Sequence, residues 1–251
     1  MRRGDAAVIT ISAALAAVVV AGVTFSLVVL DRKSGGPTPA PADSKSSLLV
    51  LTWGPSLCKS DAANPGCRSG HVERMGQSFV LHGLWPQPST EQYCGVPRQQ
   101  SDRARKPVAL PGDLRATLQT MMSDSATLSK HEWYAHGTCS GVPAPEYFGI
   151  AARLRDEANR ALQPVFSQAK GQRLSSRSVR EAVDGAFGTG TGERVSLSCK
   201  QLSDKDSIVY EVRLSLPSVP ALSLAGNAPS LADALAGGPR VPPGCGQGRV
   251  P

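Results

Sequence analysis

All six cysteines of the chain (Cys58, Cys67, Cys94, Cys139, Cys199 and Cys245) follow a single uncharged run, Ala6 to Leu30. An even cysteine count downstream of an export-type segment predicts three disulfides formed in an oxidising compartment. Six cysteines allow fifteen pairings, so spacing alone leaves the connectivity open. No C-x-x-C pair is present, which argues against a redox or zinc-knuckle site. The uncharged run holds 25 residues. As a helix it would measure about 37 Å, enough for a ~30 Å hydrocarbon core. Arg2 and Arg3 precede it, so it reads as a signal peptide or an uncleaved signal anchor. Its length favours the anchor, although Val19-Val20-Ala21 offers a weak cleavage site. Residues 1–33 are assigned to this segment, 34–47 to a Pro/Gly/Ser-rich linker and 48–251 to one folded domain. The expected location is extracytoplasmic, either secreted or held to the membrane through the N-terminal helix.

Within the domain, two short apolar runs read as buried strands: Leu48–Trp53, closed by Gly54-Pro55, and Phe79–Trp85, closed by Pro86. Helices are expected over Gly112–Met122, Lys130–His136, Glu146–Phe166 and Ser178–Phe187, with Pro164 kinking or ending the third. Val195–Cys199 and Ile208–Leu216 alternate like strands joined by a hairpin over Gln201–Ser207. Ser230 and Asp233 frame a last helical turn as cap and partner. Strands and helices do not alternate strictly, which predicts α+β rather than doubly wound α/β.

Three of the four histidines fall in two short segments, His82 in Phe79–Gln87 and His131 and His136 in His131–Cys139. A regular strand puts His82 on one face with Val80 and Leu84, and Leu81 and Gly83 on the other. Gly83 leaves space beside the imidazole. A lone strand histidine is most often a hydrogen-bonded core residue. In the second segment Glu132 and His136 are four apart on a helix, where the carboxylate can orient the imidazole. His131 and His136 are five apart, about 140° around the helix by its 3.6-residue turn, so the H-E-x-x-H zinc arrangement does not fit.

Two histidines and a carboxylate on a basic chain of net charge +7 suit RNA cleavage without metal or other cofactor. The 2′-hydroxyl is an internal nucleophile. One neutral histidine can remove its proton and one charged histidine can protonate the leaving 5′-oxygen, each contributing typically ~10²–10⁴-fold. Two unperturbed histidines predict a bell-shaped rate profile with limbs near ~6.5.

The two segments, His82-Gly83-Leu84-Trp85-Pro86 and His131-Glu132-Trp133-Tyr134-Ala135-His136-Gly137-Thr138-Cys139, resemble the paired motifs of the ribonuclease T2 family, in the same order and roughly fifty residues apart. The resemblance extends over roughly Leu48 to Cys245. It implies an antiparallel sheet flanked by helices and stapled by disulfides, acting on single-stranded RNA; the expected state is a monomer. It implies transesterification to a 2′,3′-cyclic phosphate and then hydrolysis to 3′-phosphate ends. By position, it makes His82 the acid, His136 the base and Glu132 their carboxylate; His131 would bind phosphate and Trp85 would stack on a base. Its cystines imply Cys58–Cys67, Cys94–Cys139 and Cys199–Cys245.

Two positions depart from the family pattern. Ala135 stands where the family often has lysine, which removes a cation and implies slower cleavage, or a protein on the same scaffold that binds RNA without cutting it. Gln87 stands where aspartate is common, which leaves base preference open. Arg98, Arg103, Arg105 and Lys106 read as a solvated basic loop, and His71 as a surface residue.

Overall fold

The computed structural model describes residues 44–102, 104–204 and 206–251. The Ala6–Leu30 segment and most of the linker lie outside the described residues. Among the described residues no helix is long and apolar enough to cross a membrane.

β1 (Ser46–Trp53) begins two residues before the expected Leu48. The Ser44 hydroxyl donates to the Gln87 carbonyl and the Ser47 hydroxyl to the Pro217 carbonyl, each at 2.8 Å. The last residues assigned to the linker are therefore part of the sheet. Three short helices follow, α1 (Gly54–Ser60), α2 (Pro65–Arg68) and α3 (His71–Arg74), and then β2 (Phe79–Gln87). Pro86 does not end β2, because β2 lies at the sheet edge and a missing outward N–H costs nothing there. Next come α4 (Gly112–Met121), α5 (Ser125–Ala135) and α6 (Ala144–Gln168). α6 runs through Pro164 without ending. Pro164 and Arg160 are both exposed, so the carbonyl freed by the missing N–H faces water. The chain closes with β3 (Arg173–Ser175), α7 (Ser176–Phe187), β4 (Val195–Ser203), β5 (Asp206–Pro217), α8 (Leu231–Gly237) and β6 (Gln247–Arg249). The expected hairpin loop is mostly strand. α8 carries the anticipated capping box of Ser230 and Asp233.

The sheet runs β2-β1-β5-β6-β3, with β4 also pairing β5. Its main ladders are antiparallel, while β5 meets β6 in one parallel pairing, Ile208 with Arg249. One face carries Leu49, Leu51, Trp53, Leu81, Leu84, Val212 and Leu214 into the main core. α6 covers it with Phe148, Ile150, Ala151, Leu154, Ala158, Leu162 and Phe166, an apolar stripe at helical spacing. Trp53, Phe79 and Phe166 meet ring to ring at 4.7–5.1 Å. The opposite face holds a small cluster of Leu57, Val72 and Val80 at one end, beneath the Cys58–Cys67 disulfide. The rest of that face carries His82, Glu211 and Arg213 around Val50.

α6 also holds β2 by its backbone. Asn159 accepts from the Phe79 N–H at 2.9 Å, and the Arg155 guanidinium donates to the Phe79 carbonyl. The fully buried Tyr147 hydroxyl donates to the Leu84 carbonyl at 2.7 Å and lies 3.5 Å from the Glu132 carbonyl. One phenol thus ties β2 to α5. Tyr147→Phe leaves a buried carbonyl without its partner and is expected to lower stability by about 1–3 kcal/mol. Urea unfolding at constant m-value checks this; an unchanged midpoint overturns it.

Candidate active site

β1 and β2 pair with one irregularity: Val50 lies opposite Gly83 and Leu51 opposite Leu81. His82 is the extra residue of a β-bulge. The bulge breaks the expected alternation. Leu81 and Leu84 both enter the core, whereas His82, Gly83 and Trp85 face the polar side. The imidazole is one-third exposed, and its Nδ1–H donates to the Glu211 carboxylate at 2.9 Å. Glu211, on β5, lies near Thr52 and binds the Arg213 guanidinium at 2.9 Å.

α5 ends at Ala135, and His136 is its C-cap at φ −122°, ψ −49°. The helical-wheel separation of His131 and His136 therefore does not hold. The His136 ring turns back to stack on Trp85, with centroids 5.1 Å apart and planes at 25°. His82 meets the same indole edge-on at 5.2 Å. Both imidazoles thus pack against Trp85, one of whose faces is already occupied by His136.

Glu132 is fully buried, and its partner is not His136. One carboxylate oxygen accepts from the Trp85 indole N–H at 2.8 Å. The other has no hydrogen-bond partner among the described residues and lies 3.9 Å from His82 Nε2. The space that Gly83 leaves is filled by this carboxylate: a Cβ at position 83 would overlap it. Gly137 makes a similar allowance for the Trp133 ring. His131 is held by Asp102, Nδ1 to carboxylate at 2.9 Å. Nδ1 or Nε2 of His131 and His136 and an oxygen of Glu132 come within 4.8 Å of one another, close enough to meet a single ion. The spacing argument against metal therefore fails on geometry, and a chelator decides the matter.

The charges of the two key imidazoles diverge. Burial pushes the His136 pKa down to about 3, helped by the nearby His131 and His82. Burial also disfavours charge on His82, but the Glu211 hydrogen bond and the pull of Glu132 and Glu211 outweigh it, and its pKa rises above 6.5. Burial lifts the Glu132 carboxyl to about 7 despite the His82 charge and the Trp85 hydrogen bond. Glu211 is buried as well, yet hydrogen bonds and charges from His82 and Arg213 hold it below the usual carboxylate range.

Motif reading found His82, Trp85, His131, Glu132 and His136, and the structure brings all five together. It missed Asp102, Glu211, Arg213 and Tyr147, which lie in stretches with no motif spacing. Gln87 turns its amide towards the Trp85 and Pro86 carbonyls. Ala135 is buried, and its carbonyl accepts from the Tyr93 N–H. The basic loop is not simply solvated: Arg105 is buried between the Tyr93 and Tyr134 rings at 5.1 and 4.8 Å, a cation–π sandwich. Arg103 lies outside the described residues. His71 is not a free surface residue either; its Nε2 meets the Met122 carbonyl at 3.1 Å. The disulfides are Cys58–Cys67, Cys94–Cys139 and Cys199–Cys245, the pairs that the resemblance implied.

Comparison with known proteins gives a consistent result. The model of the Ribonuclease T2 family matches residues 44–224. A ribonuclease of Aeromonas hydrophila is 32% identical over 109 residues, covering 43% of this chain and 44% of that protein. Ribonuclease MC of Momordica charantia is 26% identical over 152 residues, covering 58% of this chain and 76% of that protein. The crystal structure of a point mutant of RNase MC1 in complex with 5′-UMP superposes with a TM-score of 0.54 at 22% identity, covering 70% of this chain and 90% of that one.

The two imidazoles should titrate far apart in an NMR experiment. His136 is expected to stay neutral down to about pH 3, while His82 titrates above 6.5. A shared midpoint near 6.5 would remove the burial argument.

Proposed function

The chain belongs to the ribonuclease T2 family, and we propose from that premise that it is an endoribonuclease cleaving single-stranded RNA by proton transfer between His136 and His82. One observation carries this reading: two imidazoles flank one indole, and their environments push their pKa values in opposite directions. Between about pH 3 and the raised pKa of His82, one ring is neutral and the other charged, as a base and an acid must be.

His136, neutral, takes the 2′-hydroxyl proton as the oxygen attacks phosphorus. His82, charged, gives its proton to the departing 5′-oxygen, leaving a 2′,3′-cyclic phosphate. In the second stage the roles reverse: His82 takes a proton from water, and His136 returns its proton to the 2′-oxygen, giving a 3′-phosphate. DNA lacks the nucleophile. Glu132, sealed behind His82 and Trp85, is driven towards its neutral form below about pH 7, so it adds no second negative charge beside the incoming phosphate. His131, fixed through Nδ1 by Asp102, keeps Nε2 for the phosphate. A base stacking on Trp85 would have to share the indole with the stacked His136 ring and with the Arg213 guanidinium over it. The three disulfides suit action outside the cytoplasm, whether the Ala6–Leu30 segment is retained as an anchor or removed.

Incubating the purified protein with single-stranded RNA and EDTA tests the reading. Cyclic-phosphate ends should appear first and 3′-phosphate ends later, and His82→Ala or His136→Ala should slow cleavage by about 10²-fold or more. The kcat/KM profile should rise as pH passes about 3 and fall as it passes a value above 6.5, two separated limbs rather than a narrow bell. Loss of cleavage in EDTA would overturn the metal-free mechanism and point to an ion at His131, Glu132 and His136.

A further inference from the structure

Arg213 is used by nothing in the mechanism above, yet it stands in the site. On β5 it pairs with Val50 of β1, which pairs in turn with Gly83 of β2. Two strand spacings, about 9–10 Å, therefore separate the Arg213 and Gly83 backbones. The side chain closes that gap: its guanidinium carbon lies 5.9 Å from the Trp85 ring centroid, on the indole that carries both imidazoles.

We propose that Arg213 is a phosphate-binding residue, its guanidinium holding a non-bridging oxygen of the scissile phosphate while Glu211 aims both it and His82. The proposal rests on the ribonuclease reading. Three observations support it. The first is the donor inventory. Nε and Nη2 both donate to the same Glu211 oxygen, at 3.2 and 2.9 Å, and Nη1 has no partner among the described residues. An arginine carries five N–H groups, so three remain for an anion. The second is exposure. The Arg213 side chain is 39% exposed while Glu211 is 4% exposed, so the carboxylate is sealed and the cation is open to solvent. Glu211 takes the aiming role by touching His82 through one oxygen and Arg213 through the other.

The third is charge balance. Two carboxylates, Glu132 and Glu211, lie beside the acid–base pair, and cleavage adds a phosphorane of higher negative charge. Among the described residues, Arg213 is the permanent cation that both bonds a carboxylate of this site and lies against Trp85. The groups facing His82 are Glu211 and Arg213 from β5, Glu132 from α5 and Trp85 from its own strand. Of these, Arg213 alone opposes the charged form. A phosphate bound between them would reverse that opposition.

The test uses the full-length protein and two variants, Arg213→Gln and Arg213→Lys, with binding of the four nucleoside 3′-monophosphates compared with the four nucleosides. Arg213→Gln should weaken nucleotide binding by about 10-fold or more and leave nucleoside binding unchanged. Arg213→Lys should bind nucleotide more tightly than Arg213→Gln but less tightly than wild type, because the charge remains while the planar fork is lost. In Arg213→Gln the alkaline limb of kcat/KM should move to higher pH, because the cation that opposed His82 protonation is gone. Equal nucleotide affinity in wild type and a folded Arg213→Gln overturns the proposal. So does an equal loss for nucleotides and nucleosides in both variants, which marks a purely structural role. If wild type neither cleaves RNA nor binds nucleotide, the ribonuclease reading itself has failed.

Discussion

The site depends on one buried carboxylate resting on a glycine. Glu132 occupies the volume that a side chain at position 83 would take, and from there it accepts the Trp85 indole N–H. That hydrogen bond fixes the indole, and both imidazoles pack against the indole. Burying a carboxylate without full compensation is costly. Here it is held by the backbone on either side: Tyr147 binds the Leu84 carbonyl of β2 and approaches the Glu132 carbonyl of α5. The long helix α6, whose apolar stripe forms the core, is thereby the element that sets the distance between the two motifs.

The same two carboxylates divide the work of charge. Glu211 is met by His82 and Arg213 and stays ionised; Glu132 is met by one neutral indole N–H and is driven towards its protonated form. An ionised carboxylate on Nδ1 favours a charged imidazole, so His82 holds its proton into the range where an acid is useful. His136 has no carboxylate hydrogen bond among the described residues and is packed against an aromatic ring, so it stays neutral. Acid and base are thus distinguished by their neighbours rather than by their own chemistry.

Much of this was legible in the residues. The paired segments pointed to His82, Trp85, His131, Glu132 and His136, and apolar spacing located β1, β2, β4, β5 and the long helix but not the short β3 and β6. What was not legible was hidden for physical reasons. The bulge at His82 inverts the face assignment of everything after it, and period-two reading has no means to count an inserted residue. The end of α5 at Ala135 lets His136 turn back, whereas a helical wheel assumes the helix continues. Glu211 and Arg213 sit in Ile208–Leu216, an alternating strand whose outward charges look like solvated ones until β1 and β2 are laid beside them. The Arg105 loop shows the converse: its charge reads as solvated, yet two tyrosines distant in sequence enclose it.

That loop explains why a domain with a substantial core is still cross-linked at this point. Between β2 and α4 the chain has no regular element among its described residues, yet it carries Asp102, which fixes His131. A loop this long would ordinarily sample many conformations, and His131 would lose its orientation with them. Cys94–Cys139 joins the loop to the turn immediately after His136, closing 45 residues of sequence, a constraint that chain-entropy arguments put at about 4 kcal/mol. Tyr93 reinforces it by donating its N–H to the Ala135 carbonyl and by stacking on Arg105. The cross-link thus immobilises the wall that holds His131 in place, as Cys199–Cys245 ties the end of the chain to β4 of the sheet.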